Sequence, residues 1–430
     1  MFLQKTTKIV AKLLFVNVCL APLPINYVLA ATPLIKQTAP KELQQFIQSI
    51  VPNHPRYIAA QAERDAVFSS YNASEYAIYN PEVELDSEKT SIQTTTIGLS
   101  QTIDWGDKRG ANRLIAKNRL VAAEAKFQQQ RQALLHDLLF VARDFHNKKR
   151  LGDLSAQRLS LMKKFVTLAK QKHAAGDVNQ VEFNLAQLAY SEAVLNNALI
   201  SSETIQAEQN YLALYFSQQK QYNDVLGNLS VNFEKASLPK DFDVFVLKLP
   251  QMRIVRANVG ASKSVIALRE GESSADPTIA IRGGKENKES LVGVTLSIPL
   301  NIRNNYSDEI NVARKEYLQA EQLAQQAYRN LIRDIRTQTK HYQLMRSAWI
   351  QWQKSGQKSI NRQLNLLERL WRSGDLSATD YLIQVKQNLD TRSAGIELET
   401  KLWSSWLSWL DSTAQIESWL QLNTTKESIK

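Results

Sequence analysis

Two short stretches of the chain alternate between apolar and polar positions. In Ile97-Gly98-Leu99-Ser100-Gln101-Thr102-Ile103-Asp104-Trp105 the odd positions are mostly apolar and the even ones are Gly, Ser, Thr and Asp. From Val292 to Leu300 the even positions are Val, Val, Leu, Ile and Leu, against Gly293, Thr295, Ser297 and Pro299. A period of two places successive side chains on opposite faces of a strand. A shorter alternating segment precedes each stretch, Glu82 to Asp86 and Thr278 to Arg282. Polar loops near Ser87-Glu88-Lys89 and near Lys285-Glu286-Asn287-Lys288 join each pair. Two hairpins are predicted, with strands at about 81–87 and 92–105, and at about 277–283 and 291–300.

Elsewhere the pattern is helical. None of the 11 prolines falls between 82 and 238, and none follows 299. The two proline-free stretches are rich in Ala, Gln, Leu, Lys and Arg, which are strong helix formers. Helices are predicted from about Asp107 to Lys172 and from about Ser307 to Arg372, each with a return leg. The return legs run from Asn179 to about Tyr222 and from about Ser377 to Leu420. A helix of about 60 residues is about 90 Å long, a length found in coiled coils and helical barrels.

Each long helix ends in an elbow, "AAGDVNQVEF" at 174–183 and "RSGDLSATDY" at 372–381. Gly176 and Gly374 supply the left-handed residue that ends a helix. Asn179 with Glu182, and Ser377 with Asp380, have the spacing of a capping box that starts the next one. The elbows belong to a longer repeat. Pro55 pairs with Pro250, Pro81 with Pro277, Leu99-Ser100 with Leu296-Ser297, and Gly176 with Gly374. These anchors keep their order while the offset drifts from 195 to 198 residues. The chain is therefore two copies of one plan: helix, strand pair, long helix, elbow, returning helix. The expected divisions are a leader at 1–30, a first repeat at 31–226, a linker at 227–249, a second repeat at 250–421 and a tail at 422–430.

An ordinary half-buried hairpin gives the same strand alternation. Three features favour a membrane barrel. Strands of about 9–11 residues can span a bilayer. The polar face is small and hydroxylated, as a water-filled lumen allows. Trp105, with Tyr76 and Tyr79, lies at the strand ends, where interfacial aromatics anchor. Four strands are too few to close, and open edges are not tolerated in lipid, so several chains must pool their strands. Glu82, Glu84 and Asp86 share one strand face and either line that lumen or solvate its rim.

Composition narrows the class. Lys5, Lys8 and Lys12 precede a mostly apolar run, Leu13 to Leu23, and Val28-Leu29-Ala30 offers small residues for cleavage before Ala31. This is the pattern of a secretory leader. The single cysteine, Cys19, follows Val18 rather than a small residue, so no lipid anchor is expected. Cleavage leaves no cysteine for disulfides or catalysis. The net charge of +11 is that of a solvated basic surface, and export makes nucleic acid a poor partner. No nucleophile elbow, phosphate loop or zinc spacing occurs. His54, His136, His146, His173 and His341 are scattered. No enzyme, cofactor or metal site is predicted. Trp403, Trp406, Leu407 and Leu410 fall at helical spacing, as core residues do.

The two-copy plan, "NHPRYIAAQAE", "NPEVEL" with "DPTIAI", "LVGVTLSIPLNIRNNYSDEINVARKEYLQAE" and the two elbows together resemble the TolC-like outer-membrane efflux proteins of Gram-negative bacteria. "LSQTIDWGDKRGANR" is similar to the CzcC-like heavy-metal branch, whose strand-to-helix junction often carries a Gly-Gly-Lys-Arg run. Here Asp107 stands at the second glycine. The resemblance implies a mainly α chain with a small membrane β part. It also implies a homotrimer whose 12-stranded β-barrel in outer-membrane lipid continues into a periplasmic α-helical barrel. A periplasmic adaptor and an inner-membrane RND or ABC transporter would dock at the elbows, through Gly176, Asp177, Gly374 and Asp375. By motif position Asp380 matches the acidic gate of the family and Glu182 is its counterpart. The family's second acid is replaced by Ile383. Conduction would be passive, of heavy-metal cations or small toxic compounds. A duct for type I protein secretion would share this fold. A periplasmic coiled-coil scaffold without channel activity is a further alternative.

Overall fold

The computed structural model describes residues 34–215, 233–355 and 357–422, without the side chains of 355 and 357–363. The leader, Cys19, the end of the first return leg, residues 227–232 of the linker and most of the tail lie outside the described residues.

The chain opens with α1 (Lys41–Ile50) and α2 (Pro55–Ala73), then β1 (Glu82–Lys89) and β2 (Gln93–Thr102). The first long hairpin is α3 (Lys108–Ala175) with α4 (Gln180–Tyr215). After α5 (Phe242–Lys248) and α6 (Pro250–Glu272) come β3 (Thr278–Glu286) and β4 (Glu289–Ser297). The second long hairpin is α7 (Ser307–Ser355) and α8 (Gln357–Ser373) with α9 (Ala378–Ser412), followed by α10 (Ile416–Leu420). The 68 residues of α3 carry the chain about 100 Å from the strands to the first elbow. In the helical body α3 and α9 pack on each other, α4 flanks α3, and α7 flanks α9.

The hairpins differ from expectation at both ends. β1 runs on through Ser87-Glu88-Lys89 to the pair Lys89 with Gln93, so the turn lies at 90–92 and not at 87–89. Likewise β3 includes Lys285 and Glu286. Ladder hydrogen bonds belong to the backbone, so polar side chains at the loop end do not stop the pairing. At the other end β2 stops at Thr102, because the Asp104 carboxylate accepts the N–H groups of Lys108 at 2.9 Å and Arg109 at 2.8 Å and starts α3. Asp107 there holds φ 50°, the left-handed region a glycine enters freely and an aspartate tolerates. The backbone at this position thus tolerates the departure from a Gly-Gly run. The second long helix is described as α7 up to Ser355 and as α8 from Gln357 to Ser373, and residue 356 lies outside the described residues.

Among the described residues three cores hold the body. The largest joins α1, α3, α4, α7, α9 and α10 around Leu43, Leu135, Tyr211, Tyr342, Trp406 and Trp419. Trp403, Trp406, Leu407 and Leu410 are all buried in it. The Trp406 ring meets Trp419 edge-on at 4.5 Å. The segment after the undescribed linker residues is sewn along α7. Tyr342 Oη donates to the Glu234 carbonyl at 2.5 Å, Gln343 to Ala236 at 3.0 Å and Arg346 Nε to Phe233 at 2.6 Å. A smaller core gathers Phe245, Val246, Leu249, Met252 and Ile335. A distal core near the elbows packs Phe165, Trp371, Tyr381 and Val385.

Candidate functional site

The four strands form one antiparallel sheet in the order β1-β2-β3-β4. Its register sorts the side chains into two faces. Val83, Leu99, Ile281 and Val294 form one row, and Leu85, Ile97, Gly283 and Val292 the next. The other face carries Glu82, Ser100, Ala280 and Thr295, then Glu84, Gly98, Arg282 and Gly293, then Asp86, Thr96, Gly284 and Leu291. Ile97, Leu99, Ile281 and Val294 are 55–73% exposed, whereas Thr96, Ser100 and Ala280 on the opposite face are at most 9% exposed. Among the described residues the apolar side has no covering layer.

A polar lock ties this sheet to the helices. Asp276, 8% exposed, pairs with the Lys108 ammonium. It also accepts from Tyr79 Oη at 2.6 Å and from the Trp105 backbone N–H at 3.2 Å. A Cβ on Gly106 would fall 2.2 Å from the Gly271 carbonyl oxygen, so the two repeats meet here backbone to backbone. The Trp105 side chain is 72% exposed.

At the far end the elbows are near-copies. Gly176 and Gly374 both have φ 86°. The Gly176 N–H donates to His173 O at 3.1 Å and the Asp177 N–H to Lys172 O at 2.9 Å, which is a Schellman closure. In the first elbow the Glu182 N–H donates to Asn179 Oδ1 at 2.9 Å, and the Glu182 carboxylate accepts the Asn179 N–H at 3.3 Å. In the second the Asp380 N–H donates to Ser377 Oγ at 3.0 Å, and that hydroxyl lies 2.7 Å from the Asp380 carboxylate. Glu182 and Asp380 therefore both start helices. Asp375 accepts from Ser373 Oγ at 2.7 Å. Asp177, Asp375 and Asp380 stand exposed at the tip, and Glu182 is half-buried.

An aromatic clasp behind each elbow was not singled out from sequence. His173 stacks on Phe183 at 5.3 Å, and Trp371 on Tyr381 at 4.9 Å. The repeat offset of the glycines maps one pair onto the other, which was the available signal. Phe165 of α3 lies 4.7 Å from Trp371 and 5.3 Å from Tyr381, so it joins the hairpins. Burial pushes the Tyr381 hydroxyl up to about 12.

No atom lies within 4 Å of a Cβ built on Gly374, so its replacement is penalised by backbone conformation alone, about 1 kcal/mol. Gly374→Ala should speed amide exchange at 372–380 roughly fivefold. Gly374→Asn should do so less, because asparagine tolerates the left-handed region.

The described tips and strands thus present an amphipathic sheet at one end of a long helical body and two charged elbows at the other. The family model of outer membrane efflux proteins matches residues 258–408. The cobalt-zinc-cadmium resistance protein CzcC of Cupriavidus metallidurans is 23% identical over 305 residues, 63% of this chain and 72% of that protein. Among solved structures, CusC has a TM-score of 0.72 at 12% identity, covering 91% of this chain and 96% of its own. The CmeC outer membrane channel of Campylobacter jejuni scores 0.71 at 14% identity, covering 92% and 94%. The outer membrane protein VceC of Vibrio cholerae scores 0.67 at 14% identity, covering 86% and 96%. Sequence likeness, family model and fold agree: over residues 258–408 the chain is similar to the outer membrane efflux proteins, and it shares the fold of solved outer membrane channels.

Proposed function

We propose that three copies of this chain close their four-stranded sheets into one 12-stranded barrel in the outer membrane. The carrying observation is the uncovered apolar face of a sheet with two free edges, standing at the strand end of the long helices. In lipid such edges must be paired. An even strand number makes β1 and β4 run oppositely, so each β4 can meet the next copy's β1 with antiparallel pairing all round. The helical body supports the same reading. Val181, Leu188 and Leu195 of α4 are 76%, 68% and 68% exposed. They recur every seven residues, the spacing that packs one helix on another in a left-handed supercoil.

The duct passively conducts cargo handed to it by a periplasmic adaptor and an inner-membrane pump docked at the elbows. Divalent metal cations are the proposed cargo, by likeness to the cobalt-zinc-cadmium resistance protein. Glu82, Glu84 and Asp86 line the outer lumen, and Trp105 sits at the membrane interface. The acids of the elbows, Asp380 and Glu182, narrow the inner mouth and draw cations to it. Planar-bilayer recording of the detergent-purified oligomer tests the duct. A small cation-selective conductance supports it, and a monomer that carries no current and stays soluble without detergent overturns it.

Gating by Asp380 can be separated from capping. Asp380→Asn keeps the N–H bonded to Ser377 Oγ and removes only charge. Asp380→Ala also removes the side chain's contact with the hydroxyl. If the charge gates, both variants should raise conductance and lower cation preference. If only the cap matters, Asp380→Asn should conduct like the parent.

A further inference from the structure

We infer that Arg282 is a seam residue, pairing with the acidic column of a neighbouring copy's β1 inside the barrel. The inference rests on the several-copy closure proposed above and names a contact that only a second chain completes.

Arg282 is set in a row with Glu84, Gly98 and Gly293. It has a choice of direction along that row. Toward β2 and β1 lie Gly98 and the carboxylate of its own Glu84. Toward β4 lie Gly293 and the free edge of the sheet. A Cβ built on Gly98 would meet the Arg282 Cβ at 3.4 Å, beside Ile281 O at 3.4 Å and the Glu84 Cβ at 3.7 Å, and none of its nearest contacts is an outer atom of the arginine. A Cβ built on Gly293 would meet Arg282 Nε at 3.0 Å, Cγ at 3.3 Å and Cδ at 3.8 Å. The side chain therefore lies across Gly293 and carries its guanidinium to the free edge. Among the described residues it forms no ion pair, and neither do Glu82, Glu84, Asp86 and Glu88.

The edge that would arrive there is β1, with acids at 82, 84, 86 and 88 on the polar face. Strands lie about 4.8 Å apart, so the neighbour's β1 would sit about 10 Å from β3, with only Gly293 between them. That span suits an arginine and a glutamate reaching toward each other over a glycine. The pairing also tolerates register. A shift by one residue is excluded, because it turns the apolar face into the lumen. A shift by two brings the next acid of the column, about 6.7 Å along, to the same place. Every allowed register thus sets a carboxylate beside Arg282. Fixed in this way, each guanidinium neutralises one lumen acid and marks β4 as the edge that accepts β1.

The test is thermal dissociation of the SDS-resistant oligomer of the full-length protein. Arg282→Glu should make dissociation about tenfold faster by setting like charges at each seam. Reversing one column acid as well, by Glu82→Arg, Glu84→Arg or Asp86→Arg in turn, should restore the parent rate for the acid that faces position 282. Gly293→Val should act in the same direction as Arg282→Glu by blocking the path of the side chain. Rescue by a charge swap also shows that the single variant fails at the seam rather than in folding. An oligomeric parent with Arg282→Glu unchanged, or with no swap restoring it, would overturn the seam pair alone. A monomeric parent would overturn the several-copy closure, and the seam with it.

Discussion

Glu399→Gln should destabilise the helical body by about 3–5 kcal/mol, the cost of breaking a buried ion pair from one side. Glu399 of α9 pairs with the Arg143 guanidinium of α3, and with Arg150 of α3 at 2.6 Å. The Arg143 and Glu399 side chains are 6% and 14% exposed. Arg143 also lies over the Trp403 ring at 5.1 Å, and Asn147 donates to Thr400 Oγ1 at 2.8 Å one turn along. These contacts join the first repeat to the second. With Glu399 neutral, Arg143 keeps its charge in a site built for a carboxylate, and water reaches it only by opening the α3–α9 contact. His146 reports the same field. Burial first, then Arg143 and Arg150, hold it down to about 4, while Glu399 pulls the other way. Removing Glu399 should therefore push the histidine lower still. Thermal unfolding of the purified protein, with histidine titration by NMR as a second readout, checks both directions. A midpoint within 1–2 °C of the parent would remove the pair from the list of structural determinants.

Neither partner could be recognised from the chain alone. Arg143 and Glu399 each look like ordinary solvated charges on a helix, and their meeting depends on how two hairpins from different repeats cross. The duplication, by contrast, was legible, because prolines and glycines act locally and the four anchors recur in order. The two faces of the sheet were legible for the same reason, since a period of two needs no knowledge of neighbours. What escaped were features decided by contact or by backbone alone. The strand ends moved because ladder bonds ignore side-chain polarity at Lys89 and Lys285, and because Asp104 claims the first helical N–H groups. The capping boxes at Asn179 with Glu182 and Ser377 with Asp380 were readable as spacing. Whether their acids also face a pore depends on neighbouring copies, which a single chain does not hold. Arg282 shows the same limit in the sheet, where its direction is set by the glycine beside it.

Val294→Lys should abolish assembly in the membrane, whereas Thr295→Lys, one residue along the same strand, should leave it intact. Val294 lies in the apolar row with Ile281, Leu99 and Val83, and Thr295 opposite Ala280 on the polar face. Both side chains are exposed in the single chain, so exposure does not distinguish them; only the solvent each face meets does. A lysine facing lipid near the bilayer midplane costs about 2–4 kcal/mol, and closure would repeat that penalty in every copy. A lysine in a water-filled lumen costs little. The measurement is the amount of SDS-resistant oligomer recovered from outer membranes for each variant at equal expression. The contrast between adjacent positions matters more than either result alone, because local strand propensity and loop entropy are shared by the pair. Equal recovery of the two variants would show that both faces meet water. The sheet would then be an extension of a periplasmic coiled-coil scaffold, and its apolar rows would await another protein instead of lipid.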